Sequence, residues 1–229
     1  MDLGGRVVAV TGGFGSLGGA VVRAVHAAGG RVAAVDQAAS PSAPLPADAL
    51  LVGGVDVTSF AAGVQALARV ADRFGALDAL VNVAGAFRWE TMDDADLATW
   101  DLLYNVNLKT TVAATKAALP WLAKSGRGRI VNVGSAASVK GGTGMAAYAA
   151  SKSGVARLTE SLAEELEERG ITVNAVMPAT MDTPANRADM PKADFSRWVK
   201  TDAVADVVVF LLSDGARAVT GALVPVVGR

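Results

Sequence analysis

Short runs of apolar, often β-branched residues alternate along the chain with longer segments whose apolar positions recur every three or four residues. "RVVAVT" (Arg6–Thr11), "RVAAVD" (Arg31–Asp36), "LLVGGVDV", "LDALVNVAG", "GRIVNVGS", "ITVNAVMP" and "GALVPVV" read as strands. The first is continuously apolar rather than alternating, which suits burial on both faces. Helical periodicity marks "SLGGAVVRAVHAAGG", Ser59–Phe74, Asp94–Lys124, Ala146–Arg169 and Asp202–Ser213. The third of these carries an expected break near Asn105–Asn107. "ASPSAPLPAD" (Ala39–Asp48) is a proline-rich surface loop. Strands alternating with helices predict right-handed crossovers, and so an α/β fold: a doubly wound, Rossmann-type, seven-stranded parallel sheet with helices on both faces. No linker or compositional break divides residues 1–229, so a single domain is expected.

Composition narrows the chemistry. Of 229 residues, 52% are hydrophobic, and 21 basic side chains nearly balance 22 acidic ones. That balance points to neither a nucleic-acid nor an anionic-membrane partner. No apolar run approaches the roughly 20 residues that cross a bilayer, and a cytoplasmic protein is expected. The absence of cysteine excludes thiolate chemistry and disulfides, and one histidine, His26, cannot build a multi-histidine metal site. No metal is expected. His26, in the first helix, reads as a surface or packing residue.

Between the first strand and first helix lies "TGGFGSLGG" (Thr11–Gly19), within which Gly13, Gly15 and Gly18 match G-x-G-x-x-G. Here the chain must turn sharply, let a pyrophosphate approach its backbone and seat a helix closely on the sheet. Gly12, Gly13, Phe14, Gly15, Ser16, Leu17 and Gly18 are therefore the expected phosphate loop. Asp36 ends the second strand 18 residues after Gly18. Its carboxylate suits ribose hydroxyls and repels a 2′-phosphate, and Gln37 beside it is no arginine clamp. NAD(H) is thus favoured over NADP(H). Asp56, followed by Val57, is placed to meet the adenine edge or to lead into the next helix, where Thr58 is a ready N-cap.

Tyr148 and Lys152, in "YAASK", share a helix face at i and i+4. A neighbouring ammonium favours the phenolate, bringing tyrosine towards proton exchange near neutral pH. Ser135 ends a strand 13 residues upstream, at the sheet end where ligands bind, and its hydroxyl can donate to the same substrate oxygen.

These marks together resemble the short-chain dehydrogenase/reductase family nearly end to end. They run in order: "TGGFGSLG", "NVAG" at Asn82–Gly85, "NVN" at Asn105–Asn107, "GS" at Ser135, "YAASK" and "VNAVMPATMDT" at Val173–Thr183. The resemblance implies a catalytic set of Asn107, Ser135, Tyr148 and Lys152. In it Tyr148 is the general acid/base and Ser135 orients the substrate. Lys152 binds the nicotinamide ribose, and Asn107 shapes a helix kink that holds a relay water. It also implies that Asn82, Ala84 and Gly85 line the cofactor cleft, with Pro178, Ala179, Met181 and Thr183 on the nicotinamide side. Departures are Ser16 for the loop's usual second glycine, "NVAG" for N-N-A-G, and Ala179 for a glycine.

"MDTPANRADMPKADFSRW" (Met181–Trp198) and "GGFGSLG" also resemble dihydropteridine reductases, which lack the family serine. Retention of Ser135 and Asn107 favours a carbonyl or secondary alcohol over a pterin or quinonoid substrate. A non-catalytic nucleotide-sensing scaffold is the alternative from another class. The substrate segment, about 184–200, is expected to be a brief loop, with Met190, Phe195 and Trp198 as candidate apolar contacts and Trp89 and Met92 opposite. Family members pair their long helices, so a homo-oligomer is expected, a tetramer before a dimer.

Overall fold

The computed structural model describes residues 1–228. Its central sheet has the strand order β3-β2-β1-β4-β5-β6-β9, with every neighbouring pair parallel. The strands are β1 (Val7–Thr11), β2 (Arg31–Val35), β3 (Leu50–Val52), β4 (Ala79–Asn82), β5 (Arg129–Val133), β6 (Thr172–Pro178) and β9 (Leu223–Val226). Helices α1 (Ser16–Ala27), α2 (Phe60–Phe74), α3 (Leu97–Leu103), α4 (Thr110–Ser125), α5 (Ala146–Glu165) and α7 (Thr201–Leu212) cover it. The seven-stranded doubly wound expectation matches this architecture.

β1 is apolar throughout because both of its faces are covered. Val8 and Val10 pack with α1 and α7, whereas Val7 and Ala9 pack with α2, α4 and α5. All four are fully buried, and burial of such side chains on both faces is the main stabilising term of a parallel sheet. From β1 the chain winds outward to β2 on one side, while β4 lies on the other. The crevice beyond the C-terminal end of β1 is thus the switch point where an open α/β sheet binds ligands.

Several local readings are refined. Ser59, not Thr58, caps α2, accepting from the Ala62 amide; Thr58 instead donates to Asp56. The expected long helix from Asp94 begins at Leu97, with Asp96 as its cap. Its break is a π-helical turn over Tyr104–Lys109. α5 ends at Glu165, and a 3-10 turn then stops at Gly170 in a left-handed conformation. His26 is partly exposed and pairs with Asp48, as its surface reading requires.

The substrate segment is not a plain loop. It holds helix α6 (Pro184–Asp189), a 3-10 turn over Phe195–Arg197, and a two-stranded parallel pair of β7 (Met181–Asp182) with β8 (Val199–Lys200). No described helix is long and apolar enough to cross a membrane.

Candidate active site

At the switch point, β1 leads into a turn whose geometry only small residues allow. Gly12 has a φ of +65°, and a Cβ there would lie 2.8 Å from the Ala84 amide nitrogen. A Cβ on Gly18 would lie 1.9 Å from the Gly12 carbonyl oxygen, so a side chain there would lift α1 off the turn. Gly15 is different: it is the N-cap of α1 in extended backbone, with room for a methyl. The tight pair is therefore Gly12 with Gly18. The N-terminus of α1 opens into a cleft of about 750 Å³. A cradle made by close backbone approach at a helix N-terminus fits the pyrophosphate of a dinucleotide.

The cleft runs from this turn to Tyr148. Gly12, Gly15, Ser16, Leu17 and Gly18 line its first part, with Asp36, Gln37, Asp56 and Val57 beyond them. Ala84, Gly85, Pro178, Ala179 and Met181 line its middle, and Ser135, Tyr148 and Lys152 its far end. Asp36 has two structural partners. Its carboxylate accepts from the Phe14 and Ala38 amides, which fixes its position beside the phosphate turn.

Five expected residues lie behind the wall rather than in it. Gly13 packs on β2, where a Cβ would meet that of Ala34. Phe14 is buried in the core; its amide donates to Asp36 and its carbonyl accepts from Ser42. Asn82 is buried and donates to Thr115 Oγ1 at 3.1 Å and Asn132 Oδ1 at 2.9 Å. It ties β4 to β5 and α4 beneath the cleft. Thr183 accepts from the Asn186 amide and so caps α6. Asn107 is the fifth.

Asn107 lies fully buried in the π-turn, and its amide is spent on neighbours. Oδ1 accepts from the Ala86 amide at 2.8 Å, while Nδ2 donates to the Ala86 carbonyl and to Ser151 Oγ. Ser151 in turn donates to the Tyr148 carbonyl. Asn107 thereby joins the loop after β4, which carries Gly85, to the helix carrying Tyr148. The turn itself is stabilised by hydroxyls: Thr110 donates to the Val106 carbonyl and Thr111 to that of Asn107. These bonds satisfy backbone oxygens that the wider turn frees. Gly85 must be glycine here, since a Cβ would lie 2.8 Å from Asn107 Oδ1 and 3.2 Å from Lys152 Nζ.

Lys152 is buried, and its Nζ donates to the Val133 carbonyl at 2.8 Å. Burial lowers its pKa to about 8. Burial likewise pushes the Tyr148 phenol up, with the Ser135 hydroxyl beside it acting in the opposite sense. Ser135 is thus the neighbouring side chain that favours the phenolate. The Tyr148 ring is held edge-on by Phe87, with centroids 4.9 Å apart.

The lysine's burial has a consequence for stability. An unfolded lysine keeps its proton to about pH 10.5, the folded one to about 8. Below pH 8 both states are protonated, and the folded state carries the full cost of a buried charge. Between these values the unfolded chain binds more protons, so this group's contribution to stability rises with pH. Lys152→Met is expected to stabilise the protein by about 1–2 kcal/mol at pH 7, net of the Val133 carbonyl left without its donor, and to destabilise it by about 1–2 kcal/mol near pH 10.5, where the charge penalty is gone and only the lost hydrogen bond remains. Urea unfolding of both proteins at the two pH values checks this.

The substrate end differs from expectation in detail. Met190 lines the cleft, but Phe195 and Trp198 stack on each other 4.7 Å apart, outside it. Trp89 covers Gly144, and Met92 lines a separate small hollow. Phe87, Met145 and Asn186, which the sequence does not single out, complete the wall. The segment behind it is latched. Asp182 accepts from Arg187 (Nη2–Oδ2 3.0 Å) and from Lys200, and Arg187 lies over the Phe195 ring. Arg187 and Lys200 hold the Asp182 carboxyl well below the usual range.

The short chain dehydrogenase family model matches residues 6–194. The chain belongs to this family. It is a nicotinamide-dependent oxidoreductase, as the dinucleotide-sized cleft ending at a tyrosine, serine and lysine requires. It is 35% identical to 2-(S)-hydroxypropyl-CoM dehydrogenase 3 of Xanthobacter autotrophicus, over 97% of this chain and 95% of that one. It is 34% identical to the 3-oxoacyl-[acyl-carrier-protein] reductase FabG of Pseudomonas aeruginosa, over 100% and 98%. The 3-ketoacyl-(acyl-carrier-protein) reductase of Brucella melitensis, solved with NADH, superimposes with a TM-score of 0.88 at 25% identity, covering 98% of each chain.

Proposed function

We propose that this family member is a single-domain, NAD(H)-preferring reductase of ketones, or dehydrogenase of the corresponding secondary alcohols, with Tyr148 as its general acid/base. The observation that carries this is the convergence of Tyr148, Ser135 and Lys152 on one end of a cleft whose other end is the Gly12–Gly18 turn. A nicotinamide dinucleotide bound along the cleft supplies the hydride. Ser135 holds the substrate oxygen, and Tyr148 gives it a proton as negative charge develops there. Lys152, buried at the same end of the cleft, would hold the ribose hydroxyls and assist return of a proton to Tyr148. Asn107 acts through Ala86 and Ser151 to hold both walls in register.

Ser135 beside the phenol supports a carbonyl or alcohol over a pterin, whose reduction needs no such clamp. The names of the two curated relatives, a hydroxypropyl dehydrogenase and a 3-oxoacyl reductase, support the same substrate class. Asp36, fixed against the phosphate turn, supports the cofactor preference, since its charge opposes a 2′-phosphate. Leu97, Leu102, Tyr104 and Val112, exposed along α3 and its continuation, support a homo-oligomer, with a tetramer as the assembly.

A panel of ketones, quinones and a quinonoid pterin, followed at the nicotinamide absorbance with both cofactors, tests the reading. Ketones are expected to be reduced, with kcat/KM for NADH at least tenfold above that for NADPH. Asp36→Ala is expected to narrow that ratio. Equal use of both cofactors by the parent protein overturns the Asp36 assignment.

A further inference from the structure

Four charged side chains line the cleft among the described residues: Asp36, Asp56, Lys140 and Lys152. The two carboxylates belong to the end near the phosphate turn, and Lys152 is buried, bonded to Val133 and committed to the catalytic set. Lys140 remains. It is exposed, and it makes no hydrogen bond or ion pair with any described residue. Of the cations in the substrate segment, Arg187 and Lys200 are both held by Asp182, and Lys192 and Arg197 do not line the cleft. No carboxylate lines this end to cancel the charge, and the wall around it is largely apolar, including Phe87, Ala136, Ala137, Met145 and Met190.

The backbone that presents Lys140 is fixed rather than loose. The Ser138 amide donates to the Ser135 carbonyl at 3.0 Å and the Val139 amide to that of Ala136 at 3.1 Å. Ser153, on α5, donates to the Ser138 carbonyl at 3.1 Å. Lys140 is thus carried by a short turn that starts at Ser135 and is pinned to the helix bearing Tyr148. The ammonium on that mount lines the same cleft as Ser135 and Tyr148.

We propose that Lys140 selects substrates that carry an anionic group, such as a carboxylate, at the end of an apolar body away from the carbonyl to be reduced. This rests on the reductase reading and adds the class of substrate to it. The apolar wall takes the body of the molecule, Ser135 and Tyr148 its oxygen, and Lys140 its charge. A rim pair of this kind contributes modestly to affinity and more to selection between a charged and a neutral ligand.

The test compares 4-acetylbenzoate with its neutral methyl ester, which present the same ketone. Turnover is read with NADH, and binding of each to the NADH-saturated protein is read by calorimetry. The parent protein is expected to favour the acid over the ester about fivefold in kcat/KM. Lys140→Met abolishes that preference with the ester unaffected, Lys140→Arg restores it, and Lys140→Glu reverses it. An acid-to-ester ratio that is the same in all four proteins overturns the assignment. Should neither compound, nor any ketone of the panel, oxidise NADH or NADPH, the reductase reading falls. The binding ratio then decides the Lys140 assignment alone: preserved and charge-dependent it stands, flat it fails.

Discussion

Tyr148→Phe is expected to lower kcat/KM for ketone reduction about a thousandfold while leaving the NADH dissociation constant within about twofold. The substitution deletes one oxygen. The ring keeps its edge-on contact with Phe87 and its place on α5, so the cleft keeps its shape. What disappears is the proton that must reach the substrate oxygen as hydride arrives. That phenol is held protonated by burial, and Ser135 alone moderates it. A neutral phenol is the donor that reduction needs at pH 7. Steady-state rates together with titration of bound-NADH fluorescence separate the two effects. Loss of NADH binding in parallel with activity would show that the tyrosine supports the cleft rather than the chemistry.

Gly18→Ala is expected to cost about 2–4 kcal/mol of stability and to weaken NADH binding more than tenfold. A methyl at this position lies 1.9 Å from the Gly12 carbonyl oxygen, far inside contact distance. Backbone cannot yield there cheaply, because Gly12 itself abuts Ala84 in the loop after β4. Either α1 lifts from the sheet or the turn opens, and both misplace the amides that face the phosphates. Gly15→Ala provides the contrast. Its backbone is one any residue adopts and its methyl meets only ordinary contacts, so stability is expected to be unchanged. Thermal melts and NADH titrations of both variants check the pair. Equal tolerance at 15 and 18 would contradict the close seating of α1.

The sheet and its order of helices were legible because parallel strands buried on both faces must be apolar without alternation, as β1 is. The positions of Ser135, Tyr148 and Lys152 were legible for a related reason: a strand end and a helical i, i+4 pair are geometric statements in themselves. The motif pattern did not distinguish residues that face the cleft from those that brace it. Asn82 and Asn107 carry amides that either face a ligand or satisfy buried neighbours. Only the pairing of β4 with β5, and of the π-turn with Ala86, settles them as braces. Phe14 is similar, because the turn directs its side chain into the core and its amide to Asp36. Helical spacing places Lys152 on the face of Tyr148 but does not say what its head group meets next. Here that is the Val133 carbonyl. Helix α6 was written in the chain as Thr183 followed by Pro184, an N-cap and first-turn proline. Its ionic anchor came from residues 18 positions apart and had no local pattern.

That anchor divides the substrate segment into a frame and a filling. Asp182, Arg187 and Lys200 close a ring whose interior residues hang from two fixed posts. Between 187 and 200 only Val199 is buried in the core on the sheet, so its other side chains can change while that core stays in place. The segment is therefore a cassette, and grafting at those posts is the economical route to new specificities on this scaffold.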